Sequence, residues 1–191
     1  MMRCCIVALG LMVAVAAISS CSAERPPLPR QIAFGDDLLE QKSHEIDGPV
    51  ARTTYAAANA TLPDARLQVE IHVGESQFTV EELHRSVMDG YRATPGLRQY
   101  YLQTDSNRAC AMAAREAPAR SFVLLDYCSH EDGPAACAQA VEELGDDDVS
   151  ECSAKGGACW NAFCEAQWEA WRESLRRLAG TAGRAYDRRD D

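Results

Sequence analysis

Hydrophobic and polar positions alternate cleanly over residues 66–73. Leu67, Val69, Ile71 and Val73 take one face, and Gln68, Glu70 and His72 the other. This is the period-two pattern of a strand buried on one side. Residues 157–179 carry helical spacing instead. Trp160, Cys164, Trp168, Trp171, Leu175 and Leu178 recur at steps of three and four, with Phe163 beside them, while Glu165, Glu169, Arg172, Glu173, Arg176 and Arg177 lie away from that stripe. The spacing predicts the longest helix of the chain, with its aromatic side covering a sheet. A shorter helix is announced by its start. Thr79 with Glu82 forms a capping box, and Phe78 and Leu83 are placed for a hydrophobic staple. Leu83, Val87 and Tyr91 then follow at steps of four until Thr94-Pro95-Gly96 ends the run.

Residues 50–57, 97–103, 109–115 and 121–128 read as further strands. Phe122-Val123-Leu124-Leu125 is continuously apolar, which places it centrally in the sheet. Residues 117–120 form the turn before it. A hairpin centred on Ala119 sets Cys110 opposite Cys128 and predicts a cross-strand disulfide. Residues 135–144 are alanine-rich and predict a helix, followed by a solvated acidic turn at Gly145-Asp146-Asp147-Asp148. Residues 31–48 are acidic and weakly patterned, with Ile32, Phe34, Leu38 and Leu39 docking a short helical turn. The expected fold is α+β: an antiparallel sheet of four or five strands, one packed helix, and a disulfide-clamped C-terminal helical pair.

The chain starts with Met1-Met2-Arg3, is apolar from Cys4 to Ile18 apart from Gly10, and closes with Ser19-Ser20-Cys21. Charge, apolar stretch and small-residue site are the layout of an export signal. The apolar run is short of the roughly 20 residues a membrane-spanning helix needs, and no other segment approaches that length. Ile18-Ser19-Ser20-Cys21 resembles the lipobox of bacterial lipoproteins. The resemblance covers residues 1–21 only, and no family is recognised for the rest. It implies cleavage before Cys21, lipid on the Cys21 sulfur, and a place in the bacterial envelope, anchored to a membrane through that lipid. Ser22 after the cysteine implies the outer membrane, facing the periplasm. An ordinary secretory signal cut near Ala23, giving a secreted soluble protein, is the alternative. Residues 22–30, with three prolines, read as an extended spacer. Residues 31–180 form a single domain and 181–191 a polar tail.

Composition narrows the partners. The formal net charge is −10, which argues against nucleic acid and permits a basic protein partner. Of nine cysteines, setting aside Cys4, Cys5 and Cys21 leaves Cys110, Cys128, Cys137, Cys152, Cys159 and Cys164. An even set in an exported chain reads as a disulfide framework, and sequence alone does not choose the pairing. Bridges among Cys137, Cys152, Cys159 and Cys164 are expected to pin the long helix to the helix at 135–144 and to the loop between them. No C-x-x-C occurs, so neither zinc nor thioredoxin-type chemistry is indicated.

Catalytic motifs are missing as well. The four histidines are scattered, and the chain has no H-E-x-x-H, no G-x-S-x-G and no glycine-rich phosphate loop. Asp146-Asp147-Asp148 lacks the spacing of a calcium loop. The reading is a non-enzymatic, protein-binding envelope lipoprotein, immunity-like or inhibitor-like, with no cofactor or metal. An exposed part of the Trp160, Trp168 and Trp171 stripe is the candidate partner surface. The alternatives are an envelope hydrolase with a site assembled from scattered residues, or a structural assembly role.

Overall fold

The structure, a computed structural model, describes residues 28–116, 119–131 and 133–187. The expected export signal, Cys21 and residues 22–27 of the expected spacer lie outside the described residues, as do residues 188–191.

Two antiparallel meanders build one sheet. The first comprises β1 (Gln31–Phe34), β2 (Asp37–Asp47), β3 (Val50–Ala56) and β4 (Leu67–Gly74). The second comprises β5 (Leu97–Thr104), β6 (Arg108–Glu116), β7 (Ala119–Ser129) and β8 (Ala136–Glu143). The last strands of the two meanders pair antiparallel, so the spatial order is β1-β2-β3-β4-β8-β7-β6-β5. Helix α1 (Val80–Arg92) carries the chain from central β4 to edge strand β5 along one face. Helices α2 (Asp146–Lys155) and α3 (Gly157–Asp187) follow β8, and α3 packs on the opposite face. The α+β class is as expected, but the sheet has eight strands among the described residues rather than four or five.

Three segments account for the difference. Residues 31–48 form β1 and β2, with Ile32 and Phe34 buried in the core. Gly35 (φ +57) occupies the two-residue loop between paired Phe34 and Asp37, and Gly48 (φ +54) does the same between Asp47 and Val50. These tight hairpins need positive φ, which glycine supplies without strain. Residues 135–144 hold strand β8, not a helix. Its Ala136, Ala138 and Ala140 are buried under α3 while Cys137 packs toward α1. The helical preference of alanine yields to tertiary context, because small side chains here let α3 approach the sheet. The acidic turn is instead the first turn of α2, where Asp146, Asp147 and Asp148 oppose the positive end of the helix dipole.

Helix α3 also runs past the expected boundary at residue 180 to Asp187, with Ala182 1% exposed. Residues 181–187 therefore belong to the domain. At 31 residues the helix is about 46 Å long, enough to cross an eight-stranded sheet about 34 Å wide. Its contacts follow the strand order. Trp160 meets Tyr100 of β5 at 5.4 Å, Trp168 meets Tyr127 of β7 at 6.3 Å, and Trp171 meets Phe34 of β1 at 5.4 Å between ring centroids.

Among the described residues the disulfides are Cys110–Cys164, Cys128–Cys137 and Cys152–Cys159. The expected Cys110–Cys128 bridge does not form. Register pairs Glu116 with Ala119 and Cys110 with Leu125, moving the hairpin centre ahead of Ala119. Cys110 then joins the core under α3, and Cys128 joins the cluster under α1. The expected clamp between helices at 135–144 and 157–179 does not form, because residues 136–143 are strand β8; Cys152–Cys159 instead joins α2 to α3, and Cys137 and Cys164 bond to cysteines on strands. Three disulfides fit an exported, oxidising environment. None of the described helices is long and apolar enough to cross a membrane.

Candidate functional site

The face of the sheet under α1 is only partly covered. Helix α1 has 13 residues, about 20 Å, and begins as the sequence predicts: Thr79 accepts from the Glu82 N–H while the Glu82 carboxylate accepts from the Thr79 N–H. Its apolar side rests on β6, β7 and β8. Leu83 and Val87 pack on Cys128, Ala135 and Cys137, and Met88 packs on Ala109, Ala111 and Leu124. Beyond that contact the polar side of the β2–β3–β4–β8 region forms the floor of a cleft of about 650 Å³. That lies within the size range of ligand pockets.

Strand register assembles the floor. Arg52 of β3 lies between Glu45 of β2 and His72 of β4, and Glu70 of β4 faces Gln139 of β8. Arg52 bonds to the Glu45 carboxylate. His72 Nε2 lies 3.3 Å from Glu70 Oε2, an ion-pair distance without the alignment of a hydrogen bond. Burial works to raise the Glu70 carboxyl, but the contact and charge of His72 and the charge of Arg52 outweigh it. Glu70 is held below the usual carboxylate range. Helix α1 contributes Ser86, Val87, Gly90 and Tyr91 to the wall, and Arg115, stacked 5.9 Å from the Phe122 ring centroid, lines the cleft with it.

Besides His72 Nε2, two further side chains on this surface hold buried polar atoms without a hydrogen-bond partner. They are Gln139 Nε2, on a residue 5% exposed, and Tyr91 Oη. Burial pushes the Tyr91 phenol up, with the neighbouring Tyr100 adding to it. Buried donors of this kind are normally satisfied. With Glu45, Asp47 and Glu70 around the single cation Arg52, the β2–β4 end of the cleft is acidic.

The sequence-derived candidates fall elsewhere. Trp160 and Trp168 are 6% and 7% exposed and belong to the core, and Trp171 is half-buried against Phe34. The six cysteines are all consumed in disulfides. Sequence reasoning missed Arg52, Glu70, His72 and Gln139 as a group. The available signal was the polar side of the β4 alternation, Gln68-Glu70-His72, whose neighbours only the strand order reveals. The arrangement defines an α+β domain with one sheet face sealed by a long helix and the other opened into a charged cleft. No family model, curated protein or solved structure matches the chain.

Proposed function

We propose that this chain is an exported, lipid-anchored envelope protein that acts as a non-enzymatic binding module, and that it holds a basic segment of a protein partner in the α1-side cleft. One observation carries the reading: an open cleft of about 650 Å³ whose floor combines an acidic end with buried, unpartnered donors. Backbone carbonyls of an extended segment would satisfy Gln139 and Tyr91, while its Lys or Arg side chains meet Glu45, Asp47 and Glu70. Lipid at Cys21 would tether the domain through the proline-containing spacer; a single acyl chain binds marginally and two or more hold stably.

A photo-cross-linking residue in place of Ser86, which is exposed on the cleft wall, tests the site against the same residue in place of Arg172 on the outer side of α3. The expected result is one adduct of defined mass from position 86, weakened by salt and by Glu70→Gln. No adduct at 86, or equal adducts at both positions, would count against the reading. Cys21→Ser is expected to move the protein from the detergent phase to the aqueous phase.

A second reading rests on the Glu70–His72 pair, which resembles a general base with its orienting carboxylate. In an envelope hydrolase Ser86 would supply the nucleophile. It lines the same cleft, but no hydrogen bond joins it to His72. Turnover of an ester or amide panel, abolished by both His72→Gln and Ser86→Ala, would favour this reading over the first.

A further inference from the structure

We propose that the cleft has a second subsite at its far end, where Arg115 receives a carboxylate of the same bound segment, so that the ligand is basic at one end and carries an anion at the other. The subsite rests on the peptide-binding reading of the cleft and adds a direction and a spacing to it. Strand register builds it. On β7 the side chains of Phe122, Leu124 and Asp126 alternate onto the α1 side, where Leu124 packs against Met88. Arg120 follows the same alternation, and Arg115 of β6 is paired both with Arg120 and with Leu97 of β5, so it shares that side. Leu97, Phe122 and Val141 of β8 line the cleft beside Arg115.

Two arginines flank one ring, and their charges have different fates. The Arg115 and Arg120 guanidinium carbons lie 5.9 and 5.8 Å from the Phe122 ring centroid. Arg120 donates through Nε to Glu143 Oε1 at 2.8 Å and through Nη2 to Glu143 Oε2, a two-point arginine–carboxylate pair. Arg115 keeps the ring as its partner, and no carboxylate among the described residues pairs with it. Stacking holds a guanidinium against an aromatic face while its N–H edge stays free to fork onto a carboxylate. Arg115 is half-buried, and a guanidinium is weakly hydrated, so it exchanges water for a carboxylate at small cost.

The other end of the cleft carries the reverse charge, and the ladder sets the distance. Glu70 lies beside Gln139, and Gln139 beside Asp126; Phe122 comes four residues before Asp126 on β7. Two strand spacings across and four residues along put the Glu70 and Phe122 backbones about 16 Å apart. An extended chain covers that in about five residues. A lysine or arginine over Glu70 therefore reaches register with a carboxylate over Arg115 when the two are about four to six residues apart. The apolar surroundings of Arg115 favour a chain terminus over an acidic side chain. Leu97, Phe122 and Val141 cover an apolar last residue, whose terminal carboxylate then meets the guanidinium.

The test is selection by the full chain from two libraries of random octapeptides, one with free C-terminal carboxylates and one with C-terminal amides, read by tandem mass spectrometry. From the free acids the wild type is expected to enrich peptides with an apolar last residue and Lys or Arg about four to six places before it. Arg115→Gln is expected to weaken the best free acid by roughly fivefold or more, to the level of its amide, while the preference for Lys or Arg persists. Arg115→Lys, which keeps the charge and loses the fork, is expected to fall between. Glu70→Gln is expected to abolish the preference for Lys or Arg and keep that for the free acid. Enrichment of Asp or Glu at the same spacing among the amides would assign the carboxylate to a side chain and still support the subsite. Equal enrichment of acids and amides, with a basic residue but no acidic one, would overturn the subsite and leave the cleft reading standing. A loss in Arg115→Gln that is the same for acid and amide would overturn it too, because Arg115 would then act through packing on Phe122. Enrichment from neither library would remove the cleft reading and the subsite together.

Discussion

Burial alone would raise the Glu70 carboxyl, yet His72 and Arg52 bring it below the ordinary glutamate value of 4.5. The sign of its linkage follows. A carboxyl whose pKa is depressed by folding binds fewer protons folded than unfolded, so its contribution is fully present above the unfolded pKa and is lost as pH falls through the folded one. Glu70→Gln removes that dependence. Thermal unfolding followed from neutral pH downward is expected to show the wild type more stable near neutrality, with the two proteins converging as pH falls through and below the ordinary glutamate range. A constant gap across the whole range would mean that Glu70 acts through packing rather than charge. At this scale sequence and structure agree in part. The alternation of β4 puts Glu70 and His72 on a polar face, but a pattern within one strand cannot say that Arg52 and Gln139 lie to either side or that α1 leaves them uncovered.

The elements that were legible have strong local signals. Thr79 and Glu82 define the start of α1, and the aromatic stripe defines α3, because capping and periodicity are written in neighbouring residues. Strand β8 was hidden for a physical reason. Ala136, Ala138 and Ala140 are good helix formers, and their extended state is imposed by β4 and β7 on either side and by α3 above. The β1–β2 hairpin was hidden in a different way: Gly35-Asp36 is a tight-turn signal, but the acidic composition around it masked the short alternation of Ile32 and Phe34. Ala138→Leu separates helix from strand at β8. On a helix, leucine replaces alanine at little intrinsic cost. Under α3, fully buried Ala138 has no room for the added carbons, and overpacking costs about 1–3 kcal/mol. Urea unfolding is expected to show a loss of that order, whereas an unchanged midpoint would argue that α3 does not sit on β8.

The whole molecule is two meanders joined at β4 and β8 and then held by bridges that close loops of very different length. Cys110–Cys164 spans 54 residues and ties α3 to β6, while Cys152–Cys159 spans 7 and rounds the corner between α2 and α3. A cross-link stabilises chiefly by restricting the unfolded chain, and the restriction grows with the logarithm of loop length. That relation gives about 4 kcal/mol for the long loop and about 2.4 kcal/mol for the short one. The double variant Cys110→Ala/Cys164→Ala is therefore expected to lose more stability than Cys152→Ala/Cys159→Ala, by roughly 1.5–2 kcal/mol, read as the difference between their urea midpoints at matched slopes. Packing sharpens the contrast, because Cys110 and Cys164 are both buried in the core beneath α3, whereas Cys159 is only partly buried. Equal losses would show that α3 is held by its aromatic contacts alone. A larger loss from the short loop would place the critical restraint at the α2–α3 corner, making the orientation of α3 across the sheet depend on how the helix begins.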